Sequence, residues 1–398
     1  MRASLALLAS ASCLACAPVA ERPELQTAAV TRSGEYAQAA LAFPALVNAQ
    51  YAYLEQLPGG TFTLTPALEV EARAVQSEND LLRFLERALM LLADHHAHTG
   101  ASFADSYALV PSYADLWVEN RANRFIITSV REESPAALAG VRTGDRLVAI
   151  DGLPVEESVA AFWADLGAQR TAQRDAFAAR VLASGRRDRS RELTIESADG
   201  LHRDVTLPSL YDVESEQPAI AAERSGTTVT ITINDALGDF ATVAAFDDAM
   251  EGLGDGDRLV LNLTNTPSGG NTTVARGIMG WFAAQPTPYQ MHELPAEERQ
   301  FGIIRRWQEW VLPREGRYFA GPVEVRVGRW TGSMGEGLAI GMAELGACVN
   351  GEPMAGLLGA IGSYDVGGLT VRLPFERLGT VDGLPREDFV PQQNCPSN

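Results

Sequence analysis

The sequence predicts a mixed α/β protein built in three parts, and three patterns carry the prediction. Between Leu81 and Leu92, leucines and Ala88 recur at the spacing of one helix face. Phe125–Val130 and Leu147–Ile150 read as strands, with a short capped helix and a Gly-Asp turn between them. From Thr227 onward, strand runs alternate with helix runs, the order expected of a sheet whose strands are joined by helices. A chain of 398 residues with 46% apolar and 21% charged side chains has the length and balance to fill several cores.

The amino terminus reads as an export signal over residues 1–20. Arg2 precedes the apolar run Ala3 to Leu14, and small residues follow around Ala15-Cys16-Ala17. The run is too short to span a bilayer. Two processing outcomes fit: lipidation at Cys16 after Cys13-Leu14-Ala15, or cleavage near Ala20 to release a soluble exported protein. The first predicts a periplasmic or outer-membrane-anchored lipoprotein, held to the membrane by its lipid. Either leaves Cys348 and Cys395, which an oxidising compartment could join, although sequence alone does not set the geometry. Residues 30–100 form a helical segment, with Asn79 or Asp80 as a helix cap, ending on Asp94-His95-His96-Ala97-His98-Thr99.

In residues 110–208, Ser134 caps a helix, Pro135 takes its first position and Gly140 ends it. Thr143-Gly144-Asp145-Arg146 turns into the next strand, and Asp151-Gly152 turns out of it. This string resembles a PDZ domain. The resemblance implies binding of peptide ends by strand addition beside a helix, expected here within Glu156–Ala183. Strands at Glu192–Glu196 and Asp204–Leu207 close the module, and Pro208–Pro218 reads as a linker. In residues 219–398, Thr228–Ile233, Arg258–Leu263 and Val323–Val327 read as strands, and Phe240–Met250 and Glu336–Leu345 as helices.

Charge narrows the function. The formal net charge is −19, and nucleic-acid binding demands clustered positive charge, so no nucleic-acid partner is expected. All 32 basic residues are arginines. Thr331-Gly332-Ser333-Met334-Gly335-Glu336 lies between a strand and a helix, with glycines that permit a tight turn. A nucleophile there needs a base, and a guanidinium does not deprotonate. The base is therefore a histidine or a carboxylate. Three of the five histidines sit in the 94–99 cluster. Taken singly, each feature has a plainer reading. Ser333 could be a helix cap, Asn265–Asn271 a simple turn, and the histidines structural. Asp94, His96 and His98 could hold a metal, but no further ligand is evident, so no metal or other cofactor is expected. Thr331 stands where an α/β-hydrolase elbow requires glycine.

The order of these pieces, over roughly residues 75 to 395, resembles the C-terminal-processing (tail-specific) serine peptidase family. The resemblance implies a ClpP/crotonase-like catalytic domain acting on peptide or protein substrates through an acyl-enzyme. In the lysine-dependent branch, a lysine follows the Gly-Glu-Pro turn, here Gly351-Glu352-Pro353, and Leu357 stands in its place. The chain looks closer to the tricorn-core branch, which uses serine, histidine and glutamate. That similarity implies Ser333 as nucleophile, His98 of His96-Ala97-His98-Thr99 as base, and Glu387 as the orienting carboxylate, with Asp388 and Glu376 as alternatives. Ala97 replaces the serine that precedes the histidine in that branch. The implied oxyanion donors are the Met334 amide and one of Gly269 or Gly270. A carboxylate partner would raise the pKa of the imidazole. Two rival readings are an inactive binding relic of the same fold and a hydrolase of non-peptide esters.

Overall fold

The computed structural model describes residues 33–213, 217–234 and 237–395; the export signal and Cys16 lie outside them. The first part is helical: α1 (Ser33–Gln50), α2 (Pro66–Ala74) and α3 (Glu78–Met90). Ser77 caps α3, its hydroxyl accepting the Asp80 amide, rather than the expected Asn79 or Asp80. Every residue of the leucine stripe is buried. After α3 the chain turns through the histidine cluster into a two-residue strand, β1 (His98–Thr99).

The middle module comprises β2 (Leu116–Arg121), β3 (Arg124–Val130), α4 (Pro135–Leu138), β4 (Arg146–Ile150), β5 (Leu153–Pro154), α5 (Val155–Asp165), α6 (Ala172–Ser184), β6 (Arg191–Glu196) and β7 (His202–Leu207). Its sheet runs β2-β3-β4-β6-β7, with β5 on β4. Ser134 caps α4 by accepting from Ala137. The fully buried Asp115 accepts the Ala136 amide and pairs with the equally buried Arg191, fixing α4 to the sheet. The single helix expected in 156–183 is two, α5 and α6, broken at Gly167 by a positive φ of 64°. Strand β2 is the sheet edge, yet it is covered. Arg180 of α6 donates to the Val118 carbonyl at 3.1 Å, so the strand-addition position beside α6 is filled by the protein itself.

The last part begins with β8 (Ile220–Ser225), β9 (Thr228–Ile233), α7 (Ala241–Glu251), β10 (Arg258–Asn262) and α8 (Thr272–Met279). It continues with β11 (Thr287–Glu293), α9 (Pro295–Phe301), β12 (Arg306–Val311), β13 (Val323–Val327), α10 (Met334–Glu344), β14 (Cys348–Gly351), β15 (Ala360–Val366) and β16 (Leu369–Gly379). One sheet, β14-β13-β10-β9-β8, is parallel except for β8. The other is antiparallel, β1-β16-β11-β12, with β15 on β16. Cys348 and Cys395 form a disulfide. One core gathers α1–α3, the middle module and the β15–β16 hairpin; another fills the space between the parallel sheet and α7, α8 and α10. The hairpin thus packs with the amino-terminal helices, although it follows the strands of the parallel sheet in sequence.

Candidate active site

Ser333 sits at the turn from β13 into α10, half-buried, with φ 51° and ψ −114°. A non-glycine residue is costly there, and such strain persists only where surrounding bonds over-determine it. Those bonds come from Glu336, which is fully buried. Its carboxylate accepts the amides of Ser333 at 2.8 Å, Gly356 at 2.9 Å and Leu357 at 3.2 Å. Burial pushes its pKa up to about 7, against the pull of Arg386 and these amides. Thr331 anchors the other side, its hydroxyl donating to the Leu263 carbonyl at 2.7 Å, and Gly332 bonds Thr266 at 2.9 Å.

The Ser333 hydroxyl faces the loop after β10. A Cβ on Gly269 would lie 2.3 Å from Ser333 Oγ and 3.2 Å from the Met334 nitrogen, so only a bare backbone fits. Met334 opens α10, and a first-turn amide has no intrahelical acceptor. Backbone donors at a helix amino terminus beside a hydroxyl suit a developing oxyanion. Gly270 is equally confined: its Cβ would strike the Leu237 carbonyl carbon at 1.9 Å, so that position too admits only a bare backbone. The bridge from Ser112 Oγ to Ser268 Oγ at 3.0 Å, and the bond from Trp330 to the Ala114 carbonyl at 2.7 Å, clamp both loops to the segment entering the middle module.

Arg386, 2% exposed, links the turn to the histidine cluster. It donates to the carbonyls of Leu357 and Gly359 and stands 3.9 Å from Glu336. The carbonyl between them, Leu358, is 2.7 Å from Nδ1 of His96. A carbonyl only accepts, so Nδ1 carries the proton and Nε2 keeps its lone pair. Asp94 accepts the His96 amide at 2.8 Å and the Tyr51 hydroxyl at 3.0 Å. Burial depresses His96 to about 3 and raises Asp94 to about 7. His96 is therefore a neutral imidazole held by the segment that also anchors the serine turn.

Residues 126–169 match the family model described as the PDZ domain. No curated protein matches the sequence. Among solved structures, mature CPAF superposes with a TM-score of 0.56 at 15% identity, over 89% of this chain and 91% of that one. Mature CPAF complexed with lactacystin gives 0.55 at 16%, over 89% and 92%. The photosystem II D1 C-terminal processing protease gives 0.52 at 14%, over 88% and 90%. The fold is that of a C-terminal processing protease.

Within this protease fold, the expected residues land unevenly. Ser333, Met334 and Gly269 meet. His98 does not join them by any hydrogen bond: it lies in β1 opposite Arg372, with Nδ1 on its neighbour's Thr99 carbonyl at 2.9 Å. Burial lowers its pKa, as it does for His96, so the raised imidazole expected from a carboxylate partner is not found. The reason is that, among the described residues, no carboxylate bonds either ring. Glu387 Oε2 is buried without a hydrogen-bond partner among the described residues, close enough to Asp94 and Tyr53 to raise both pKa values. Glu376 is bonded instead to His292 at 3.0 Å, and Asp388 is exposed. His95 is structural, accepting from Arg180 at 2.9 Å and stacked on Phe177. Among the described residues, no group of three or more His, Cys, Asp or Glu is arranged to hold a metal. Glu336 and Arg386 escaped the sequence reading. The Ser-x-x-Glu spacing of a capping box pointed to Glu336; nothing local pointed to Arg386.

Proposed function

We propose that this chain is an exported serine peptidase of the C-terminal-processing type, hydrolysing peptide bonds through an acyl-enzyme. The observation that carries the proposal is the Ser333 turn: a strained serine whose hydroxyl faces Gly269 beside the unbonded first-turn amide of α10. Ser333 Oγ attacks the peptide carbonyl, and the amides of Met334 and Gly269 receive the oxyanion. A histidine of the 94–99 segment takes the serine proton and returns it to the leaving amine. Both rings carry a carbonyl on Nδ1, Leu358 for His96 and Thr99 for His98, which leaves Nε2 of each as the acceptor; His96 is favoured because Leu358 belongs to the 356–359 segment that Glu336 holds beside the serine turn. Glu387 acts from behind Asp94, by charge rather than by contact with the ring. The PDZ-like module receives a chain end, for which Arg180 must swing off Val118. The Cys348–Cys395 bond supports export, since structural disulfides persist in oxidising compartments.

The test is fluorophosphonate labelling together with cleavage of unstructured peptides. Ser333 should be labelled in the folded protein, and Ser333→Ala should lose label and turnover, on the order of a millionfold. A folded wild-type protein that neither labels nor cleaves would leave the binding relic as the better reading.

A further inference from the structure

His292 lies on β11, the strand between β12 and β16, and is 6% exposed. A carboxylate stands at each ring nitrogen. Glu376 of β16 is 3.0 Å from Nδ1, and Glu309 of β12 is 3.3 Å from Nε2. A carboxylate only accepts, so both nitrogens carry protons and the ring is a cation. Trp307 stacks on it with ring centres 4.9 Å apart. Burial works against the charge, but the two carboxylates outweigh it and raise the pKa to about 9. Each contact of the ring leads to a different part of the serine site. Glu309 also accepts the Tyr289 hydroxyl at 2.7 Å and a bond from Thr272, with Arg276 at 3.3 Å. Thr272 and Arg276 lie on α8, which starts directly after Gly269, Gly270 and its Asn271 cap. The Gln290 amide lies 3.1 Å from Nε2, and its Oε1 would stand 2.9 Å from a Cβ on Gly337, three residues after Met334 on α10. On the third side, Glu376 pairs with Ala360, and its carbonyl would lie 1.9 Å from a Cβ on Gly359.

We infer that His292 is a positioning residue for the proposed hydrolysis: its charged ring, bonded on both sides, holds the oxyanion loop, the serine helix and the 356–359 segment in register. The inference rests on the peptidase reading. The ring touches no reacting atom and acts through Glu309, Gln290 and Glu376. Around these lie Arg276 of α8, Tyr289 of β11 and Tyr364 of β15, the last close enough for the Glu376 charge to raise its pKa, after burial. From α10 come the uncharged Gly337 and Met334. A neutral ring donates to one carboxylate only, leaving the other buried without a partner. Because the ring's pKa is raised, its hold is complete at neutral pH and is lost as pH rises through about 9.

The chain suits a pH test. It has no lysine, and Cys348 and Cys395 are joined, so few groups titrate near pH 9. Fluorophosphonate labelling and peptide cleavage are followed from pH 7 to 10.5, with circular dichroism at each pH. In the wild-type protein kcat should fall about tenfold or more through pH 9 while the spectrum stays unchanged. His292→Gln should start about 10- to 100-fold low in kcat at pH 7.5, with KM changed far less, and show no fall near 9. His292→Arg keeps a charge between the carboxylates, so it should exceed the glutamine variant and also lose the fall. A flat wild-type rate to pH 10.5, a fall that accompanies unfolding, or a folded His292→Gln protein with wild-type kcat and the same fall overturns the inference. If neither variant folds, the wild-type profile decides. A wild-type protein that neither labels nor cleaves at any pH removes the peptidase reading, and the inference with it. Labelling at pH 7.5 without dependence on His292 removes the inference alone.

Discussion

The reactivity proposed for Ser333 rests on what surrounds it. The hydroxyl is exposed enough to be reached, yet its backbone is pinned by Glu336 on one side and Thr331 on the other. Two substitutions test the residues around it. His96→Asn should reduce kcat by about four orders of magnitude or more in a folded protein, while His98→Asn retains most activity. The reverse result would restore His98 as the base. Gly269→Ala places a methyl 2.3 Å from Ser333 Oγ. Its kcat should fall roughly 10²- to 10³-fold, the cost of one lost oxyanion donor, with KM changed far less. The strand–turn–helix geometry at Ser333 and Met334 and the tight glycine pair facing it were legible in the sequence because such turn chemistry is local. Choosing between His96 and His98 was not. The two lie two residues apart in one cluster, and they differ in where Nδ1 bonds, His96 on the Leu358 carbonyl, remote in sequence, and His98 on the adjacent Thr99 carbonyl.

At the scale of elements, the turn into α10 is stabilised by a buried carboxylate, and the turn before β1 by another. Both have pKa values raised by burial, so folding favours their protonated forms. Their contribution to stability is therefore complete below the ordinary carboxylate range and is lost as pH rises through about 7. His95 and His96 act in the opposite sense. Their values are depressed, so their contribution is lost as pH falls below the ordinary 6.5. Asp94→Asn isolates the first effect, because an amide mimics the protonated acid. Its melting temperature should rise relative to the wild-type protein between pH 5 and pH 8; an unchanged difference would show that Asp94 titrates normally. The elements β9 and β13 were legible from apolar runs within a residue or two. The β15–β16 hairpin and β11–β12 were not, because their partners lie far away in sequence, with β16 lying between β1 and β11.

Over the whole molecule, Arg386 is the tie that closes the site. Arg386→Ala leaves Glu336 buried without its counter-charge and frees two carbonyls. Urea unfolding should show a loss of about 3 to 5 kcal/mol, with kcat falling as the 356–359 segment loosens. A variant as stable as wild type would mean that the guanidinium only fills space. The tie also has a temporal meaning. A ribosome delivers the histidine cluster first and the oxyanion loop and serine much later, while Arg386 and the strand that pairs with His98 come near the end. A nascent chain therefore carries the serine and the histidine segment well before it carries the guanidinium that binds the Leu357 and Gly359 carbonyls. On the peptidase reading proposed above, this delay is a built-in safety catch, keeping the blade unassembled until synthesis is almost done.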